Sequence, residues 1–298
     1  MRLRVRHVTE YDYSEPAVEN SNDLRLYPRE TRHQRLLSWL IKVLPATRLR
    51  SYEDFFLNRV HYFEITKPHN RLLIDSHFEI EVDARIDVLD LPYGFLHSRL
   101  PEVTVLDECR EFLLNSHFVE MTPEIWREAI DVKADSEDVF ETTYAIMEHI
   151  YRTYEYVSGA TNVSTHANEA FSIRKGVCQD FAHVMLAMCR ALRIPARYAS
   201  GYFFDPYRDH RLRGSEASHA WVEIYLPDLG WIGFDPTNRQ VVDDRYVVVA
   251  VGRDYLDVAP VHGTFFGGCV GSLDVRVTVE KVQGTTPEVT TEAKPAEA

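Results

Sequence analysis

Residues 176–183 read Gly-Val-Cys-Gln-Asp-Phe-Ala-His and are the most informative part of this 298-residue chain. A glycine-containing turn leads here into an apolar pattern of helical spacing, which predicts Cys178 at the first turn of a long helix. The free backbone N–H groups and the dipole of a helix N-terminus favour a thiolate at that position. The same N–H groups can hold the oxyanion that forms when a carbonyl is attacked. Position alone leaves two interpretations of Cys178 open, a reactive thiol and a structural one.

The helix that follows Cys178 is predicted to end at Pro195, because its apolar residues recur at three- and four-residue spacing up to that point. Cys189 falls within this apolar pattern and is assigned to the core. Arg174 and Lys175 precede Cys178, and we expect them to add positive charge near its thiol. Cys178 is therefore the candidate nucleophile on this helix.

A predicted β-hairpin contains a histidine and an aspartate. Residues 220–226 alternate as a strand, a turn is centred near Asp228, and residues 231–234 return as the partner strand. In such a hairpin, His219 faces a position two or three residues beyond Asp235, so the two side chains meet at one end. A lone histidine is more often a core or surface residue, but an imidazole held by a carboxylate is oriented for proton transfer. Only a meeting with Cys178 requires tertiary structure.

The chain as a whole is predicted to be α+β, and it divides into four parts: 1–90, 91–135, 136–283 and 284–298. The first part has short strands separated by prolines and is predicted to form an antiparallel β-sandwich. The second is a helical connector, in which Thr122 is the expected N-cap of one helix. The third contains the candidate catalytic residues. The last has almost nothing to bury and is predicted to be disordered.

Composition and charge exclude several classes of function. Hydrophobic residues make up 45% of the chain, which is ordinary for a globular protein, and the net charge of −13 argues against a nucleic-acid binder. No apolar run has the length of a signal peptide or a membrane-spanning helix, so we expect a cytoplasmic protein with reduced thiols. No metal-ligand spacing and no phosphate-binding glycine loop occur, so neither a metal nor an organic cofactor is expected.

With these motifs the chain resembles the bacterial transglutaminase-like family, whose members are often described as cysteine proteases. The resemblance spans nearly everything except the last fifteen residues. It is carried by several ordered motifs, at residues 24–29, 176–183, 195–202, 218–223, 230–238 and 249–255. Ordered motifs at matching spacing are far more specific than a lone cysteine.

The resemblance implies a papain-like, transglutaminase-like core behind a β-rich N-terminal domain. It implies Cys178 as the nucleophile, His219 as the base and Asp235 as the orienting acid. Gln179 and Trp221 are further candidates for contacts with the oxyanion or the substrate. The calcium-binding features of animal transglutaminases are not visible in this sequence.

The expected function is acyl transfer from a peptide or isopeptide amide through a thioester on Cys178. Resolution of the thioester by water would make the protein a protease or amidase, which we favour, because water is always available and no acceptor groove can be read. Resolution by an amine would make it a transglutaminase, and a non-catalytic binding protein is the alternative of another class. Residues 204–218 are a candidate lid over the site. Neither the natural substrate nor the oligomeric state follows from the sequence.

Overall fold

The computed structural model describes residues 1–84, 91–206, 218–267 and 270–282. The predicted disordered tail at 284–298 lies outside them. The strands are β1 (Arg2–Leu24), β2 (Gln34–Leu44), β3 (Arg50–Glu53), β4 (Arg59–Ile65), β5 (His69–Val82), β6 (Glu155–Tyr156), β7 (Lys175–Gly176), β8 (Ala196–Phe203), β9 (His219–Leu226), β10 (Gly230–Asp235), β11 (Gln240–Val241), β12 (Tyr246–Gly252), β13 (Val261–Gly267) and β14 (Val270–Lys281). The α-helices are α1 (Leu100–Thr104), α2 (Asp107–Arg110), α3 (Pro123–Lys133), α4 (Val139–Thr153), α5 (Ala167–Ile173), α6 (Cys178–Ala191) and α7 (Tyr255–Val258).

The N-terminal strands form one curled antiparallel sheet around the long strand β1. On one side of β1, β5 pairs with its first half and β4 with its second half. On the other side, β14 and β13 pair with the same two halves. Leu3 and Val5 are fully buried, whereas Arg2 and Arg4 alternate with them and bind Glu79 on the outer face. This alternation is that of a strand with one buried face.

The predicted fold class is confirmed, since helices and strands combine in a transglutaminase-like architecture behind an antiparallel N-terminal β region. The N-terminal strands belong to a single curled sheet. The division of the chain into four parts stays a prediction. Residues 261–267 and 270–281, which that division places in its third part, pair with β1 of the N-terminal sheet.

The part of the chain that contains the candidate site is built on a five-stranded antiparallel sheet in the order β11-β10-β9-β8-β12, with α6 packed on one face. Val222 and Ile224 of β9 share a hydrophobic cluster with Phe181 and Val184 of α6. Residues 179–190 of α6 are all buried, so the helix is held on every side. The start of α6 is thereby fixed relative to the start of β9, where His219 lies.

The N-terminal sheet packs directly on this five-stranded sheet. Leu3 and Val5 share a hydrophobic cluster with Tyr202 and Val247. The Tyr202 hydroxyl lies 2.7 Å from Nδ1 of the buried His7, which gives this contact a polar component. The helices before α6 follow the sequence pattern, and Thr122 caps α3 by accepting a hydrogen bond from the Ile125 N–H, as predicted.

Candidate active site

Cys178 is the first residue of α6, and Val177 is the helix N-cap. The first N–H groups of a helix have no partner within it, so they face the region around the thiol. Of the three cysteines in the described residues, Cys109 and Cys189 are buried and Cys178 is partly accessible. Burial raises the pKa of both Cys109 and Cys189 to about 12, which keeps them as thiols. Cys178 is thus the cysteine of this group that a substrate can reach.

The positive charge expected beside Cys178 is already neutralised. The Arg174 guanidinium forms a paired contact with the Glu128 carboxylate and lies 4.3 Å from the centre of the Phe171 ring. Lys175 forms an ion pair of 2.9 Å with Glu155. Both cations thus have carboxylate partners, which offset the positive charge expected from Arg174 and Lys175. Cationic support for a thiolate has to come from another group.

That group is His219, which lies in the predicted hairpin. Phe234 pairs with Val222, so the register places His219 opposite the position two residues beyond Asp235. The His219 Nε2–H donates to Asp235 Oδ2 at 2.7 Å, and both side chains are fully buried. The local geometry expected from the sequence is therefore present.

Asp235 is surrounded by hydrogen-bond donors. Its Oδ1 accepts the backbone N–H of Thr237 at 2.9 Å, and its Oδ2 accepts the Asn238 amide and the Tyr246 hydroxyl at 2.9 Å each. Burial alone would raise the pKa of Asp235, but His219, Asn238 and Tyr246 outweigh it and hold that pKa below its usual value. The carboxylate is therefore charged, and it orients the imidazole.

The second ring nitrogen of His219 is left for the thiol. Nδ1 is buried and has no hydrogen-bond partner among the described residues, and the Cys178 side chain lies close enough to His219 to influence its pKa. Burial disfavours the imidazolium, yet the Asp235 carboxylate and the Cys178 side chain outweigh burial and raise the pKa of His219 to about 10. Cys178, His219 and Asp235 thus come together as one chain of interacting groups.

The two additional site candidates contact His219 and Tyr246 in one case and the loop before α5 in the other. Trp221 is fully buried, and its ring centre lies 6.2 Å from that of His219 and 5.4 Å from that of Tyr246. The Gln179 amide donates to the Val163 carbonyl at 3.1 Å and so holds the loop before α5. Roles for Trp221 and Gln179 in binding the oxyanion or the substrate stay predictions.

Several residues around the site were not identified from the sequence. Tyr198 and Tyr255 lie close enough to Cys178 that its charge, added to burial, raises the pKa of each phenol. Tyr246 and Asn238 reach Asp235. Three of these four lie within segments that carry the family resemblance, at 195–202, 230–238 and 249–255, which is the signal that could have pointed to them.

Other sequence expectations concern metals, membranes and the lid. In the described part of the chain, no group of three or more His, Cys, Asp and Glu side chains is arranged to hold a metal ion. No helix in that part has the length and hydropathy needed to cross a membrane. The candidate lid at 204–218 lies mostly outside the described residues, which resume at residue 218.

Comparison with known families gives two matches along the chain. The transglutaminase-like superfamily matches residues 128–236, and the bacterial transglutaminase-like N-terminal region matches residues 3–81. An uncharacterised protein of Mycobacterium tuberculosis is 35% identical over 301 residues, which cover 95% of this chain and 94% of that protein. The chain belongs to the bacterial transglutaminase-like family, as the resemblance predicted.

Two further similarities concern proteins with a described activity. A solved structure described as "a Putative Cysteine Protease from Cytophaga hutchinsonii" is similar with a TM-score of 0.75 and 25% identity, covering 96% of this chain and 92% of that one. The protein-glutamine gamma-glutamyltransferase of Pseudomonas aeruginosa is 33% identical over 115 residues, or 36% of this chain and 17% of that protein. These similarities support an enzyme of the cysteine acyl-transfer class.

Proposed function

We propose that this protein hydrolyses peptide or isopeptide amide bonds through a triad of Cys178, His219 and Asp235. The observation that carries the proposal is the position of His219, whose Nε2–H donates to Asp235 at 2.7 Å while Nδ1 is left for Cys178. A thiol, a base and an orienting carboxylate in this order are the parts of a nucleophilic acyl-transfer site.

The first half of the reaction forms a thioester. The Cys178 thiolate attacks the amide carbonyl carbon, and the carbonyl oxygen becomes an oxyanion near the N–H groups at the start of α6. The His219 imidazolium then gives its Nδ1 proton to the amide nitrogen. The C–N bond breaks, the amine leaves, and the acyl group remains on the sulfur.

The second half releases the acyl group. Neutral His219 takes a proton from water as the water oxygen attacks the thioester carbonyl. The C–S bond breaks, a carboxylic acid leaves, and the thiolate and imidazolium are restored. Asp235 stays charged throughout, and its hydrogen bond keeps Nδ1 of His219 directed at the reacting atoms.

An amine could take the place of water in the second half, which would make the protein a transglutaminase. Both reactions pass through one acyl-enzyme, so the triad does not separate them. The solved Cytophaga hutchinsonii structure, which is described as a cysteine protease, is similar over nearly the whole chain and favours hydrolysis. The Pseudomonas aeruginosa glutamyltransferase is similar over only about a third of the chain. A buried imidazole held by a charged carboxylate and combined with a partly accessible thiol favours catalysis over a binding role.

One experiment distinguishes hydrolysis from amine transfer in a single reaction. The protein is incubated with a glutamine-containing peptide and an excess of a primary amine, and the products are identified by mass spectrometry. Hydrolysis predicts backbone cleavage or conversion of glutamine to glutamate. Incorporation of the amine would show transfer instead, and Cys178→Ser must abolish either product.

A labelling experiment tests the non-catalytic alternative without any substrate. Iodoacetamide at neutral pH should label Cys178 faster than Cys109 in the native protein, and faster than Cys178 in a His219→Asn variant. Equal labelling of Cys178 with and without His219 would leave no activated thiolate, and the enzyme proposal would fail.

A further inference from the structure

Asp180, two residues beyond the nucleophile, is a buried carboxyl group that the triad does not use. It is 1% exposed, and its Oδ1 has no hydrogen-bond partner among the described residues. Burial raises the pKa of Asp180 despite the hydrogen bonds that oppose this shift. An unpaired polar atom in the interior is costly, so a buried acid at this position calls for a specific role.

The other carboxyl oxygen of Asp180 fixes the turn that enters α6. Oδ2 accepts the backbone N–H of Val177, the helix N-cap, at 2.8 Å. This is the reach of a third-position acid back to the N-cap backbone, which stabilises the first turn. A Cβ at Gly176 would lie 2.7 Å from the Asp180 Cβ, so the glycine is what allows the carboxyl group to come this close.

Asp180 also fastens a neighbouring loop, residues 157–165, to the start of α6. The Thr161 hydroxyl donates to Asp180 Oδ2 at 2.6 Å. Gln179 binds the Val163 carbonyl of the same loop, and the Val157 N–H donates to the Gly176 carbonyl at 2.9 Å. The residues on both sides of Cys178 are therefore tied to one loop, with Asp180 bonded to the helix entry and the loop at once.

We propose that Asp180 is a positioning residue that holds the Cys178 thiol and backbone N–H in place by joining the Val177 N–H to the Thr161 hydroxyl. The inference rests on the proposed function, in which Cys178 is the nucleophile. Asp180 itself is buried and does not touch the substrate. Its loss allows the first turn of α6 to shift, and a displacement of about 1 Å at a reacting group can reduce the rate about 100-fold.

The test compares Asp180→Ala and Asp180→Asn with Thr161→Val. Asp180→Ala removes both hydrogen bonds and should lower kcat about 10- to 100-fold with little change in KM. The amide oxygen that Asp180→Asn introduces can still accept both hydrogen bonds, so the kcat of this variant should stay within about threefold of the wild type. Thr161→Val removes the loop bond alone and should lower kcat by a smaller factor in the same direction.

Asp138 provides a matched control. It is the N-cap of α4, where its side chain accepts the Glu141 N–H at 2.9 Å. Asp138→Ala should lower the melting temperature through loss of a cap, but leave kcat unchanged. An equal loss of kcat in Asp138→Ala and Asp180→Ala would reduce the effect to general destabilisation and overturn the proposal. So would wild-type kcat in Asp180→Ala, or an Asp180→Asn variant as slow as Asp180→Ala.

Iodoacetamide labelling of Cys178 separates this proposal from the proposed function. Asp180→Ala and Asp180→Asn both remove the carboxylate charge. Slower labelling of Cys178 in the alanine variant than in the asparagine variant therefore reports the lost hydrogen bonds. That difference should appear even if no amide substrate is turned over, in which case the proposed function fails and the positioning role stands. Equal labelling rates in the two variants would contradict the positioning role.

Discussion

Tyr246→Phe removes one hydrogen bond from the carboxylate behind His219 and leaves the ring in place. The Tyr246 hydroxyl donates to Asp235 Oδ2 at 2.9 Å in a fully buried setting. A hydrogen bond to a charged group contributes about 1.5–3 kcal/mol. Asp235 keeps its bonds to His219, Thr237 and Asn238, so we expect the lower end of this range, about 1.5 kcal/mol of unfolding free energy.

Loss of the Tyr246–Asp235 hydrogen bond should also lower the catalytic rate. A carboxylate with one donor fewer is held less firmly in the position that orients His219, and about 1.4 kcal/mol corresponds to tenfold in rate. We therefore predict that Tyr246→Phe lowers kcat/KM about tenfold. The pKa of Asp235 should rise, since a donor that lowers it is gone, and the acid limb of the activity profile should move to higher pH.

Tyr202→Phe is the matched control for this variant. The Tyr202 hydroxyl is also buried, but it bonds His7 at the contact between the two sheets rather than a residue of the proposed triad. Urea unfolding should show a loss of about 1 kcal/mol for Tyr202→Phe, with unchanged kcat/KM. The reasoning would be refuted if Tyr246→Phe kept full activity, or if both variants lost activity equally.

Two further predictions concern stability. The His219 pKa is raised from 6.5 to about 10, so the stability from its pairing with Asp235 is fully present below about pH 6.5 and is lost as the pH rises towards 10. Urea unfolding across this range should show a smaller alkaline loss of unfolding free energy for Asp235→Asn than for the wild type. Parallel curves for the two proteins would contradict this prediction. A Cβ at Gly201 would overlap the Val247 carbonyl oxygen, so Gly201→Ala should lower the unfolding free energy by about 1–3 kcal/mol. A Cβ at Gly271 would lie 3.3 Å from its nearest neighbouring atom, so Gly271→Ala should change the unfolding free energy by less than about 1 kcal/mol. Equal effects of the two glycine substitutions in thermal melts would be inconsistent with this packing.

The parts of the site that depend on local chain geometry could be predicted from the sequence. His219 and Asp235 meet because one short hairpin fixes their register, and Cys178 starts a helix because its turn and apolar spacing are local signals. The catalytic roles of the three residues stay a prediction. The family resemblance gave the architecture around them.

The rest depends on contacts between distant parts of the chain. Tyr246 reaches Asp235 because β12 pairs with β8, on the far side of β9. Glu128 neutralises Arg174 across 46 positions of sequence, so the charge expected beside the thiol could not be judged locally. Neither strand order nor such a pairing has a signature in the neighbouring residues.

The most direct measurement is detection of the acyl-enzyme. Wild-type protein and a peptide amide or ester substrate are quenched in acid during turnover, and the digested protein is examined by mass spectrometry. The triad mechanism predicts an acyl adduct on the peptide that contains Cys178, absent from Cys178→Ser. Turnover without that adduct, or turnover retained by Cys178→Ser, would contradict it.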